Sequence, residues 1–290
     1  MKNNGNVIII GSGPAGVSAA LYTIRAGIET TVISDGEGSL KKAEKIENYY
    51  GFSDPITGDE LEASAIKGAK RLGVKFVNDE VVGLKYVDSH VVQTIKNEYP
   101  ADSVIIATGS TRKVPKILGL IEHEGKGVSY CAVCDAFFYR NKNVGVLGFG
   151  EYAVHEAMEL LPVVNSVTIL TNGEKLTAKV SDDIQINTKK ILSINGEDRL
   201  SSVSFEGSEE LQFDGFFVAY GTAGSLELAR KIGAITEGNN ILVDNSMQTN
   251  IPGIFAAGDC IGGIFQISKA VYEGSKAGME AIKFIRNLHK

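Results

Sequence analysis

Tryptophan is absent from the chain, and its 290 residues include only three cysteines, four histidines and six prolines. Three cysteines are too few for a secreted disulfide scaffold and fit a reducing cytoplasm better. Two of them, Cys131 and Cys134, form a CxxC without a second CxxC or CxxH to complete a zinc site. The histidines share no metal-ligand spacing, so no metal is expected. No run of about 18 apolar residues occurs, which excludes a membrane-spanning helix. Positive charge is not in excess either: 29 Lys and Arg stand against 35 Asp and Glu, for a net charge of −6. That balance argues against general nucleic-acid binding. The N-terminus leads straight into Val7-Ile8-Ile9-Ile10, which predicts a buried strand in place of a signal peptide.

Glycine, by contrast, is plentiful and patterned. Val7–Ile10 runs into Gly11-Ser12-Gly13-Pro14-Ala15-Gly16. Val17, Ala20, Leu21 and Ile24 then line one helical face, Gly27 stops the helix, and Thr30–Ser34 reads as a second strand. Such a turn lets a pyrophosphate approach the backbone, while the helix N-terminus presents N–H groups to it. Asp35 lies 19 residues beyond Gly16, placed to meet a ribose hydroxyl. The pattern returns at Asn143–Leu147, Gly148-Phe149-Gly150-Glu151-Tyr152-Ala153, a helix to Leu161 and a strand at Ser166–Leu170. Ile191–Tyr220 alternates like a short β-meander, and a final helix is predicted from about Ser268 to Leu288. The expected fold is α/β: two Rossmann-like three-layer domains, the second inserted into the first. Residues 1–113 and 223–290 would form one domain and 114–222 the other.

The pair Cys131-Ala132-Val133-Cys134 can close and reopen a small disulfide, and so carry two electrons. Asp135 beside it offers a proton donor or acceptor. The bland alternatives are two inert buried cysteines or half a zinc site. Cys260 reads as a small buried side chain rather than a third redox thiol.

Taken in order, Gly11–Gly16, Asn48 in Ile46-Glu47-Asn48-Tyr49, Ala107-Thr108-Gly109, Cys131–Asp135 with Phe137-Phe138-Tyr139-Arg140, and Phe255-Ala256-Ala257-Gly258-Asp259 resemble the low-molecular-weight thioredoxin reductases along nearly the whole chain. The resemblance implies a homodimeric flavoprotein holding FAD in the first domain. Contacts would come from Gly11, Ser12, Gly13, Pro14, Ala15, Gly16, Asp35, Leu40, Val81, Ala107, Thr108, Gly109 and Gly258. Asn48 would lie near the flavin and Asp259 on the ribityl chain. It also implies that Cys134 faces the isoalloxazine, that Cys131 exchanges with thioredoxin, and that Asp135 is the acid/base. In the family the middle domain rotates to bring the dithiol to its partner. The last helix departs from the family's basic–Gln pair, and there Ile267 and Ser268 would offer backbone near the pyrimidine end.

The second glycine turn departs further. Glu151 and Tyr152 replace small neutral residues, Phe149 crowds the turn, and a carboxylate at a helix N-terminus repels a pyrophosphate. Where NADPH-using members carry His-Arg-Arg, this chain reads Thr171-Asn172-Gly173-Glu174-Lys175. Each lost charge-assisted contact is worth about 1.5–3 kcal/mol. Lys175, Lys179, Lys189 and Lys190 are the candidate substitutes. Flavin and dithiol without a nucleotide clamp resemble the ferredoxin-dependent flavin thioredoxin reductases. The expected route runs from reduced ferredoxin through FAD and the dithiol to thioredoxin. Ferredoxins near about −400 mV and thioredoxin near about −270 mV leave roughly 6 kcal/mol for two electrons. Lys41, Lys42, Lys45, Lys113 and Lys116 offer local positive charge for an acidic ferredoxin. The alternatives are an NAD(P)H-dependent reductase with an atypical site, a flavin-dependent dithiol oxidase, and a flavin-loaded redox sensor.

Overall fold

The structure is a computed structural model that describes residues 5–35, 38–109, 115–130, 132–221 and 224–290. Cys131 therefore lies outside the described residues, as does Lys113, and the Cys134 side chain is likewise not described. The chain divides into two compact units, Met1–Thr111 with Gly224–Lys290, and Arg112–Ala223. Among the described residues no helix is long and apolar enough to cross a membrane.

The first unit is built on a five-stranded parallel sheet in the order Ile254–Ala256, Ser103–Ile106, Asn6–Ile10, Glu29–Ser34 and Lys75–Asn78. Val7, Ile8, Ile9 and Ile10 are all buried, the near-continuous apolar run expected of a central parallel strand. Helix Pro14–Arg25 begins at proline, whose missing N–H costs nothing in a first turn. The long helix Ile267–Leu288 packs along it. A Cβ on Gly274 would lie 2.0 Å from the Ala15 carbonyl oxygen, so only glycine permits this approach. Helix Gly58–Arg71 starts with a capping box in which Thr57 accepts from Glu60 N–H and the Glu60 carboxylate accepts from Thr57 N–H. A three-stranded antiparallel sheet, Val81–Tyr86, His90–Thr94 and Glu98–Ala101, completes the unit.

The second unit repeats the plan. Its parallel sheet runs Gln185–Asn187, Ser166–Leu170, Asn143–Leu147, Gly215–Val218 and Val128–Ser129, with helix Glu151–Leu160 following the glycine turn. Ile191–Asn195, Ser202–Phe205 and Glu210–Gln212 form the antiparallel meander. The alternating run ends there. Gly215–Val218, all buried, leaves the meander and pairs in parallel with Asn143–Leu147. Phe205, Phe213, Phe216 and Leu147 share one core with the meander's Ile194 and Val203.

Candidate active site

In the first unit the chain turns sharply between strand and helix. Gly11 has φ +108°, and a Cβ there would lie 2.3 Å from the Ala107 oxygen; one on Gly16 would lie 1.9 Å from the Gly11 oxygen. Strand, turn and the Ala107-Thr108-Gly109 segment are thus pressed together, with Ala107 N–H donating to the Ile10 carbonyl. Gly13 differs: nothing stands within 4 Å of its missing Cβ. Gly13 is also the helix N-cap, and no side chain caps the N–H groups behind it. Thr108 contributes a buried hydroxyl oxygen with no hydrogen-bond partner. Open space, uncapped helix N–H groups and an orphaned hydroxyl fit a pyrophosphate-bearing cofactor.

The remaining expected cofactor contacts lie in the same unit. Ser12 donates to the Ser34 hydroxyl at 3.1 Å, and Asp35 is exposed just past that strand. Leu40 sits in the short turn Ser39–Lys42, its carbonyl oxygen 1.9 Å from where a Gly58 Cβ would be. Val81 is buried at the start of its strand. Gly109 has φ +77° with open space beside it. Asn48 donates to Gln266 Oε1 at 3.2 Å, which joins the 45–53 segment to the start of the last helix. Ile267 is the first residue of that helix, and Ser268 beside it is exposed. Gly258 approaches the glycine-turn helix, with the Ala15 Cβ 3.0 Å from a would-be Cβ. Burial pushes the Asp259 carboxyl above its usual range, with Lys269 opposing. Cys260 is fully buried, its thiol pushed up to about 12 by burial. A thiol so raised is inert as a nucleophile at neutral pH.

In the second unit two hydrogen bonds pin the segment that carries the redox motif. Helix Ala132–Asp135 carries Cys134 on its backbone. Asp135 accepts a 2.7 Å hydrogen bond from the Ser129 hydroxyl. The buried carboxylate of Glu156 accepts from Ala132 N–H at 2.8 Å, between the two cysteines in sequence. Tyr139 is buried, meets Phe217 edge to face at 5.3 Å and fills the space left by Gly215, where a Cβ would come within 2.4 Å of the ring. Phe137 and Phe138, by contrast, are 73% and 67% exposed. Arg140 stands 6.0 Å from the Phe137 ring centre. Sequence reasoning missed Ser129 and Glu156, because their roles depend on contacts made by a neighbouring strand and helix.

The second glycine turn keeps its packing function. Gly148, at φ +159°, has the Ala219 oxygen 2.1 Å and the Ala153 Cβ 2.6 Å from where its Cβ would be. A later segment folds back beside it. Thr177 donates both its N–H (2.8 Å) and its hydroxyl (3.1 Å) to the Phe149 carbonyl. The Thr177 hydroxyl oxygen lies 3.8 Å from the Gly150 Cβ position. Phe149 meets Tyr220 edge to face at 5.1 Å, and Tyr220 donates to Glu174 at 3.1 Å. Tyr152, at the start of the helix, has its side chain buried. The 172–177 segment thus folds back onto the turn through Thr177. Thr171 is fully buried. Of the four candidate lysines, Lys189 pairs with Glu209 and Lys190 with Glu206.

Comparison with known proteins fits this geometry. Residues 5–274 match the pyridine nucleotide-disulphide oxidoreductase family. A thioredoxin reductase of Listeria innocua is 35% identical over 98% of this chain and 94% of its own length. The chain belongs to the thioredoxin reductase family. Among solved structures, the atypical thioredoxin reductase TRi of Desulfovibrio vulgaris Hildenborough is 40% identical, with a TM-score of 0.92 over 98% of both chains. A ferredoxin-flavin thioredoxin reductase from Clostridium acetobutylicum is 30% identical, with a TM-score of 0.74 over 99% of both. Like other members of the thioredoxin reductase family, the chain is an FAD-dependent disulfide oxidoreductase.

Proposed function

We propose that the chain passes electrons from reduced ferredoxin, through FAD and the Cys131–Cys134 pair, to thioredoxin disulfide. One observation carries the choice of donor: the 172–177 segment folds back on the second unit's glycine turn, with Thr177 bonded to the Phe149 carbonyl. A pyridine nucleotide would have to displace these contacts without an arginine to hold its phosphate. Two of the solved relatives are named an atypical thioredoxin reductase and a ferredoxin-flavin thioredoxin reductase, which supports the reading.

The balance is two reduced ferredoxins, one thioredoxin disulfide and two protons giving two oxidised ferredoxins and the thioredoxin dithiol. Bound FAD supplies the conversion between a one-electron donor and a two-electron disulfide. The N–H groups behind Gly13, the Thr108 hydroxyl and Asp259 hold and orient it. The Cys131 thiolate attacks the thioredoxin disulfide, forming a mixed disulfide and breaking the S–S bond of thioredoxin. Cys134 then attacks Cys131, releases reduced thioredoxin and re-forms the Cys131–Cys134 disulfide. Asp135, oriented by Ser129, moves the proton between the dithiol and the leaving thiolate. Phe137 and Phe138, just past Asp135, offer thioredoxin an exposed apolar surface. The working unit is a homodimer in the cytoplasm, and its mass in solution tests the first of these.

The donor is tested by mixing the yellow protein anaerobically with reduced ferredoxin, NADPH or NADH and following flavin bleaching. Reduced ferredoxin should bleach the flavin and support thioredoxin reduction. Rapid bleaching by micromolar NADPH would overturn the reading.

A further inference from the structure

We propose that Lys269 and Glu273 form a positioning clamp for FAD, holding the two peptide units on either side of the Gly258 α-carbon and thereby fixing Asp259 against the glycine turn. The inference concerns how the cofactor is seated and holds whichever donor reduces it.

The geometry is specific. Gly258 N–H donates to Glu273 Oε2 at 3.0 Å, and the Gly258 carbonyl accepts from Lys269 Nζ at 3.1 Å. Lys269 and Glu273 lie one helical turn apart and meet at 3.0 Å through that same Oε2. The two peptide units that meet at Gly258 are thus gripped, the preceding one at its N–H by an anion and the following one at its C=O by a cation. Gly258 needs such a grip, because its φ of +86° and ψ of −151° are essentially reserved for glycine. The turn stands directly over the start of helix Pro14–Arg25, where Ala15 faces Gly258. Asp259, next in the chain, takes its direction from this turn.

The pair is nearly buried, with side chains 14% and 11% exposed. A buried ion pair recovers little net stability once desolvation is counted, and apolar residues of similar volume often serve as well. What apolar residues cannot do is satisfy the N–H and the C=O of Gly258 in two successive peptide units. That need explains two charges at this place. Their i,i+4 spacing also sets them on one face of the last helix, so the helix and the turn move as one piece.

The test compares FAD binding to apoprotein, read from flavin fluorescence, with the thermal unfolding of the apoprotein. K269M and E273Q should each weaken FAD binding by about tenfold or more, the scale of one lost charge-assisted hydrogen bond. K269R, which keeps the donor, should retain most of the affinity. The reversal K269E/E273K keeps an ion pair but sets a carboxylate against the Gly258 carbonyl and an ammonium against its N–H. It should bind FAD as poorly as the single variants. The doubly neutral K269M/E273Q leaves no unpaired buried charge and covers the case where a single change does not fold. FAD affinity within twofold of the native protein in K269M/E273Q would overturn the proposal. So would native affinity in the reversal, since an ion pair of either polarity would then suffice.

Discussion

At the scale of single residues, the redox motif depends on groups that contact it from outside. Asp135 is oriented by Ser129. D135N should lower thioredoxin turnover by about a hundredfold or more, the usual contribution of a positioned acid/base. S129A, which leaves the carboxylate in place but unheld, should lower it by roughly tenfold. Steady-state rates across pH check both, and a D135N rate within twofold of native would remove Asp135 from the mechanism. A separate residue governs stability. His90 is buried, its Nε2 placed to donate to the Pro252 carbonyl at 2.9 Å and its Nδ1 without a partner. Burial lowers its pKa below the ordinary 6.5, against the opposing Pro252 contact. The folded state therefore prefers neutral His90, and the unfolded chain takes up the proton first. This contribution is fully present above about pH 6.5 and is lost as pH falls through the lower, folded value. H90Q should flatten the fall in unfolding midpoint between about pH 7 and pH 5. An unchanged slope would assign the acid sensitivity to other groups.

At the scale of elements, the contact between helices Pro14–Arg25 and Ile267–Leu288 is set by missing side chains. Gly274 touches the Ala15 backbone and Gly278 approaches Ala19, where a Cβ would lie 2.8 Å from the carbonyl oxygen. G274A would drive a methyl into backbone that cannot yield, costing about 1–3 kcal/mol or more. G278A should cost less, and the two unfolding midpoints measured on apoprotein should rank in that order. Elements also mark how far the sequence could be read. Strand, glycine turn and helix were legible in both units, because burial period and glycine spacing agree locally, joined in the first unit by the proline start. The alternating run through Gly215–Val218 was misleading: its last strand is buried on both faces of a parallel sheet, and alternation cannot show which sheet receives it. Thr177 left no local signal, because its role exists only once the segment returns to Phe149. Lys269 and Glu273 did leave one in their spacing, although nothing in the sequence tied it to Gly258.

At the scale of the whole molecule, reaction and fold divide in the same way: the cofactor cradle lies in one unit and the dithiol in the other. The proposed electron order makes this division measurable. Donor to flavin requires only the first unit's cradle, whereas flavin to thioredoxin requires both cysteines. C131S/C134S should therefore still be bleached anaerobically by reduced ferredoxin at close to the native rate, while thioredoxin reduction falls to background. C131S alone should also abolish thioredoxin reduction, because the remaining Cys134 has no outer thiol to pass electrons through. Stopped-flow absorbance follows the first half-reaction, and the appearance of thioredoxin thiols follows the second. If the double variant no longer bleached with ferredoxin, electrons would enter at the disulfide and the flavin would lie downstream of it. The order of carriers would then run opposite to the one proposed, even though every residue in it stayed the same.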